Sequence, residues 1–296
     1  MDKKLLFVIG PEDEGRTVAR FLRRQGISHR VLVDLKREPD GLTIAGETAY
    51  TNRRLHAGEE LHLFLREPET SDIVPQEGLH LPIVFENEDL FVVDKPAGMA
   101  VHPSPGNREN SVANALAAYC AAQGEELVFR AIGRLDKDTS GLLLVARNAI
   151  AAGILTDAAA EKAVQREYLA VCTGELPESG TIDAPIGRVD GSVVTREVRA
   201  DGACAVTHYE RLRYENGYSL AHVRLETGRT HQIRVHMAHI GHPLPGDFLY
   251  NPDYRVIRRH ALHAFRLTVP LPFAEKTMVF ESPLPDEMKK FWKNNG

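Results

Sequence analysis

The chain is poor in cysteine. Its three, Cys120, Cys172 and Cys204, are odd in number and far apart. That excludes a disulfide framework and a cysteine metal clip, and fits buried thiols in a reducing cytoplasm. No apolar run approaches membrane-spanning length, which argues against a transmembrane helix. The longest early run, Leu5–Ile9, is short and followed by Gly10-Pro11 and acids, so it reads as a strand and not as a signal peptide. There is no internal repeat and no low-complexity tract. There is also no basic excess. The formal net charge is −5 and the pI about 6.2, which argues against bulk, non-specific association with nucleic acid. The deficit is uneven: residues 1–66 hold 12 of the 36 Lys and Arg but 10 of the 41 Asp and Glu. The front is therefore slightly basic, and any phosphate contact must be local.

What is present is 296 residues, 43% of them apolar, enough for one large core and a smaller second domain. The most informative stretch is Arg130–Asn148. Its first half, Gly133-Arg134-Leu135-Asp136-Lys137-Asp138-Thr139-Ser140-Gly141, is dense in charge and hydroxyls. Its second half, Leu142–Ala146, is a continuous apolar run of strand length, as expected of a strand covered on both faces. A polar loop held on a buried strand is a rigid platform. An arginine beside an aspartate favours the ionised carboxylate, a ready nucleophile or base. An ordinary charged turn closed by an Asx or ST hydrogen bond explains the same residues. On chemistry alone both readings stand.

Arg134-Leu135-Asp136-x-x-Thr139-Ser140-Gly141 followed by the apolar strand resembles the signature loop of the RluA-type pseudouridine synthases. The resemblance places the catalytic role on Asp136. It differs in one residue, Gly133, where the family loop often has His. Three further segments carry the likeness. Lys95-Pro96-Ala97-Gly98 is similar to the segment that begins the family's catalytic domain, and Lys95 could reach a phosphate, although a strand-ending turn explains Pro96 and Gly98 equally well. Arg166-Glu167-Tyr168 fits the family's tyrosine, whose ring can stack on a base and whose hydroxyl can relay a proton. A tyrosine half-buried on a strand is the plainer reading. Gly228-Arg229-Thr230-His231-Gln232-Ile233-Arg234 resembles the motif that supplies an arginine to the catalytic aspartate, and the carry-over pairs Arg229 with Asp136. Ile233, Met237 and Ile240 fall at helical spacing, with Thr230 as candidate N-cap, which sets Arg229 at an electropositive helix start. Gly246-Asp247, Tyr250 and Leu262-His263-Ala264 match closing segments with structural roles.

The spacing along residues 1–66 predicts a strand over 1–12, a helix over 14–25, a second helix from Ser28 through Lys36, and short strands at 41–46 and 61–65. This order resembles an S-four-type RNA-binding domain. Arg16, Ser28, Arg30 and Lys36 are its candidate RNA contacts, set against a plain solvated helix face. Residues 67–80 carry Pro and Gly and read as a linker. Residues 81–296 then form the catalytic domain. Strands are expected at 90–93, 142–146, 166–171, 192–198, 203–212 and 218–225, with helices at 111–122 and 149–164. The order is strand-rich with few crossovers, which predicts an α+β fold with a mostly antiparallel mixed sheet. His231, His236, His239 and His242 invite a metal reading, but only Asp247 could join them, and no metal is expected.

The resemblance implies an enzyme that isomerises uridine to pseudouridine in structured RNA, ribosomal or transfer, by flipping the base into a pocket. Asp136 would act on the nucleotide, Arg229 would keep it ionised, Tyr168 would stack and handle the carbon-5 proton, and Arg134, Lys95 and Thr139 would hold RNA. No redox change or group donor is needed, so no cofactor is expected. The expected form is a cytoplasmic monomer with RNA as partner. Two rivals remain open: an RNA-binding protein with a degenerate catalytic domain, and a nucleosidase or glycosidase using Asp136 with Asp138.

Overall fold

The computed structural model describes residues 2–67, 72–104 and 108–292. The front unit contains β1 (Lys3–Val8), α1 (Val18–Arg24), α2 (His29–Leu35), β2 (Leu42–Ile44), β3 (Glu47–Thr48) and β4 (Glu60–Leu65). Its sheet runs β1-β4-β2-β3, and every pairing is antiparallel. The first helix is shorter than the expected 14–25. Gly15 takes a positive φ of 70°, and Thr17 caps α1 by accepting the Arg20 N–H. Ser28 caps α2 as anticipated, its hydroxyl accepting the Val31 N–H at 3.3 Å. Both helices bury Val18, Phe21, Leu22, Val31 and Leu35 against the sheet.

The second unit is built on a ten-stranded sheet. Its elements are β5 (Ile83–Glu86), β6 (Leu90–Lys95), α3 (Val112–Ala121), β7 (Arg130–Ile132), β8 (Ser140–Ala146), α4 (Ala149–Ala160), β9 (Gln165–Thr173), β10 (Ser179–Asp183), β11 (Ile186–Arg188), β12 (Arg196–Val198), β13 (Val206–Glu215), β14 (Tyr218–Leu225), α5 (Gln232–His239), β15 (Leu262–Pro270), β16 (Thr277–Glu281) and α6 (Asp286–Lys289). The sheet order is β10-β13-β14-β9-β15-β8-β6-β5, with β16 on β15 and β7 on β8. Among the described strand pairings of this sheet the β15–β8 contact alone is parallel, and it is two residues long. The α+β, mostly antiparallel architecture is therefore as the strand-rich pattern predicts. β11 and β12 form a separate hairpin, so the expected strand at 192–198 shrinks to its last three residues.

All seven residues of β8 are buried, as a strand covered on both faces must be. Gly141 begins the covered stretch with φ 110°, and a Cβ there would lie 2.2 Å from the Ala264 carbonyl oxygen. Glycine lets β15 approach the base of the Asp136 loop this closely. β15 thus locks the strand that carries the loop.

The two units are packed together. Ile150 of α4 is buried in the front unit's core, with Ile154 against it. Lys3 is buried and pairs with Asp89 at 2.7 Å. The segment 67–80 departs from a free linker. Glu67 pairs with Arg130 at 2.5 Å and accepts the Ala149 N–H, while Val74 and Gln76 hydrogen-bond to Asn114 and Asn110. Its Ile73 and Leu79 pack on the main core. Residues 68–71 of that expected linker lie outside the described residues. Among the described residues no helix is long and apolar enough to cross a membrane.

Candidate active site

A cleft of about 690 Å³ opens at the loop between β7 and β8. Asp136, Tyr168 and six arginines line it: Arg134, Arg166, Arg188, Arg196, Arg229 and Arg234. Asp136 is the single acid among the lining residues, in a chain whose total charge is −5. The arrangement concentrates positive charge where the composition as a whole gives none, as a polyanion-binding cleft requires.

The Asp136 loop is pinned from below. The Asp136 carbonyl accepts the Thr139 N–H at 3.1 Å, closing the turn. Thr139 is buried, and its hydroxyl meets His260 Nε2 at 2.8 Å. Lys95 is 0% exposed and donates to the carbonyls of Pro96, Met99 and Lys137. Burial pushes its pKa down to about 7. Arg259, also buried, donates to the carbonyls of Asp138, His260 and Leu262 and to the Ser140 hydroxyl. These contacts correct one expectation: Lys95 holds the loop from within, because a lysine enclosed by three carbonyls has no donor left for a phosphate. Thr139 lines the cleft with its hydroxyl on His260.

The cation on Asp136 is also corrected. Arg234, not Arg229, donates to Asp136 Oδ2 at 2.9 Å. Its other nitrogens form a fork on Asp247, at 2.6 and 2.8 Å. Asp247 is wholly buried and also accepts the Leu249 and Tyr250 N–H groups. Burial works against the Arg234 charge, but the hydrogen bonds and charges of Asp247 and Asp136 outweigh it and hold the guanidinium's pKa above the ordinary value. Tyr250 and Phe248 present their rings to it at 5.2 and 5.7 Å. Asp136 itself remains partly open, with 26% of its side chain exposed.

Arg229 differs because the helix starts later than expected. Thr230 is not the cap. His231 occupies that position with φ 59° and makes no side-chain cap hydrogen bond, while Gln232 ties down the segment ahead of the helix. The Gln232 carbonyl oxygen accepts the Arg229 N–H and the Thr227 hydroxyl, while its amide donates to Val206 O and Thr207 Oγ1. Arg229 is left on the exposed rim, its Nε donating to the Cys204 carbonyl at 3.0 Å. Arg234 lies one position past Ile233, beside the buried face of α5. That helical phase was the signal that could have singled it out.

Tyr168 is where the strand pattern places it. It is 7% exposed on β9, opposite Val223 and Ala264, with its ring in the main core and one edge on the cleft. Arg134 is exposed at the mouth. Arg166, just ahead of Tyr168, donates to the Ile132 carbonyl at 3.2 Å and braces the loop's entry.

The histidines do not converge. His231 sits 3.9 Å from Asp136 and hydrogen-bonds Tyr250, while His236 lies between Thr207 and the Ala184 carbonyl. His242 contacts the Thr173 carbonyl. Among the described residues no three His, Cys, Asp or Glu side chains form a metal-holding group. Burial lowers the pKa of His231 and His236 and drives that of His260 well below the ordinary value, so these rings stay neutral at pH 7.

Of the front-unit candidates, Arg30 and Lys36 are exposed. Arg16 is engaged with Asp13 at 2.7 Å, and the Ser28 hydroxyl is committed to its cap.

A loop carboxylate held by a buried guanidinium in an arginine-lined cleft defines an enzyme that acts on a polyanion. Comparison with known proteins specifies it. Residues 89–239 match the RNA pseudouridylate synthase family. The chain is 37% identical over 278 residues to an uncharacterized RNA pseudouridine synthase, YjbO, of Bacillus subtilis, covering 94% of this chain and 98% of that protein. It is 38% identical over 256 residues to the ribosomal large subunit pseudouridine synthase D of Nitrosomonas europaea, covering 83% of this chain and 74% of the other. The solved structure of human RNA pseudouridylate synthase domain containing 1 superposes with a TM-score of 0.58 at 28% identity, over 71% of this chain and 85% of that one. The chain belongs to the RNA pseudouridylate synthase family, in its RluA-type branch, and is a pseudouridine synthase.

Proposed function

We propose that this enzyme isomerises a uridine of large-subunit ribosomal RNA, with Asp136 as its catalytic carboxylate. The observation that carries the reading is the Asp136–Arg234 pair at the base of a cleft with six arginines, in an acidic chain. The reaction breaks the N1–C1′ bond and joins C5 to C1′. The C5 proton leaves and N1 gains one. A uridine in folded RNA must first leave its stack, at about a few kcal/mol. The exposed arginines at the mouth meet the phosphates on either side of it, and Arg134 is placed to hold the backbone or occupy the vacated space. Within the cleft, Arg234 fixes one oxygen of Asp136 and leaves the other facing the nucleotide. Its second carboxylate, Asp247, holds the guanidinium still, so the pair needs no rearrangement when charge develops. Tyr168 offers a ring edge to the base and a hydroxyl for proton relay.

The front unit is proposed as an S-four-like RNA-binding domain over residues 1–66, with Arg30 and Lys36 as its exposed contacts. Its docking on α4 keeps those residues at a fixed separation from the cleft. Ribosomal RNA as substrate is supported by the relatives named for the large subunit. The test is to incubate the enzyme with unmodified large-subunit ribosomal RNA and with transfer RNA transcripts and to map pseudouridines at nucleotide resolution. A discrete modified position in the ribosomal transcript supports the reading. Modification of the transfer RNA alone overturns it.

A further inference from the structure

The β11–β12 hairpin stands apart from the main sheet, and its connecting loop is not used by the reaction as described. It is two strands of three residues, joined by a seven-residue connection, and its Arg188 and Arg196 are cross-strand partners. Both arginines line the cleft, so the loop end of the hairpin belongs to its wall. The connection that this pair closes exposes two valines. Val193 is 79% exposed and Val194 is 46% exposed.

This tip is built, not frayed. Ser192 N–H bonds the Val189 carbonyl, and Val189 N–H bonds the Thr195 carbonyl. The Ser192 hydroxyl accepts the Val194 and Thr195 N–H groups. The Arg196 guanidinium folds back onto the Val194 and Thr195 carbonyls. On the other strand, Arg199 donates to the Arg188 carbonyl and to Asp190. Beside the loop, the Arg196 N–H donates to the Tyr250 hydroxyl, which also meets His231. A polar scaffold therefore holds two apolar side chains in water, beside a cleft rich in arginine. Ordering already present in the free protein is not lost again on binding. Apolar side chains inserted at an unstacked step are a recurrent means of holding a distorted nucleic acid, and unstacked bases offer apolar faces.

We propose that the β11–β12 hairpin is an RNA-contacting arm. Its paired arginines engage phosphate, and its Val193–Val194 tip packs against the bases flanking the extruded uridine. The inference rests on the RNA-modifying reading above and adds a specificity element: the arm acts on folded RNA, where flanking bases have a fixed position.

The test compares the full-length wild-type enzyme with Val193→Asp/Val194→Asp. The substrates are a large-subunit ribosomal RNA transcript and a short unstructured oligonucleotide carrying the same uridine. Val279→Asp, which changes another exposed valine on β16, controls for surface charge. The expected result is a kcat/KM ratio, folded over unstructured, at least tenfold lower in the tip variant than in the wild type and the control, with the same thermal midpoint. 2-Aminopurine placed next to the target should lose its binding-dependent fluorescence change in that variant. Equal losses on both substrates, or no loss on either, overturn the arm. Failure of the wild type to make pseudouridine on either substrate refutes instead the reading on which the arm rests.

Discussion

Replacing Arg234 separates the two arginines of the helix-start motif. The side chain makes three N–H···O bonds to two carboxylates, one to Asp136 and a fork on Asp247. A lysine at 234 keeps the charge but has no fork, and its ammonium can serve one carboxylate well or both poorly. Each charge-assisted bond lost costs about 1.5–3 kcal/mol, so Arg234→Lys should destabilise the fold by ~2–4 kcal/mol. Arg234→Met should cost more, about 3–5 kcal/mol, because Asp247 is then a buried carboxylate without its cation. The catalytic loss should exceed what stability explains. Asp136 would lose the donor that fixes it, and removal of one preorganised charge contact typically lowers kcat by about 10²–10³. Arg229→Ala should behave differently. Its side chain touches the Cys204 carbonyl on the rim, so the single-turnover rate should stay within about threefold while RNA affinity falls. The assay is single-turnover tritium release from carbon-5-labelled RNA, with urea unfolding of each variant alongside. A wild-type single-turnover rate in folded Arg234→Lys, together with a hundredfold loss in Arg229→Ala, would refute this assignment.

Lys95→Met should destabilise the Asp136 loop, because three carbonyls lose their donor, and should slow turnover by about tenfold or more. Amide hydrogen exchange at 133–139 reads the loosening, and unchanged exchange contradicts it. His260 sits neutral in the fold, with a pKa well below that of the unfolded chain. The unfolded state thus binds an extra proton below about pH 6.5, and stability falls as pH drops through that value. His260→Asn should remove about 1.4 kcal/mol per pH unit from the acid-side slope once the unfolded histidine is fully protonated, measured by urea melts at pH 4.5–7. An unaltered slope argues against the buried neutral ring. Reversing Arg30 and Lys36 to Glu should weaken RNA affinity and reduce the salt slope by about one to two charges. Equal slopes would leave both residues as solvated surface.

The sequence was most legible where physical constraints are local. A continuous apolar run could only be a strand covered on both faces, and β8 is buried throughout. Ser28 stands at a helix start with no competing cap, and it caps α2. What was illegible depends on contacts distant in sequence. Lys95 looks like a phosphate ligand until the Asp136 loop, some forty residues on, folds its Lys137 carbonyl over it. Asp247 fixes Arg234 from outside the motif, so nothing in the motif itself separates Arg234 from Arg229. The start of α5 was misplaced because an αL histidine, with no side-chain cap, stands where a hydroxyl cap was expected. The segment 67–80 has linker composition, but the Glu67 side chain is itself buried against Arg130 and takes a free helix N–H, which anchors it.

The central claim is that Asp136 performs the chemistry and that RNA binding is carried by other groups. Tritium release from carbon-5-labelled RNA, measured on wild type and Asp136→Asn with binding of each measured in parallel, tests it most directly. The account predicts full release by the wild type and none by the variant, with affinities within about tenfold, roughly 1.4 kcal/mol. Release by Asp136→Asn at the wild-type rate, or free uracil as the wild-type product, would contradict it.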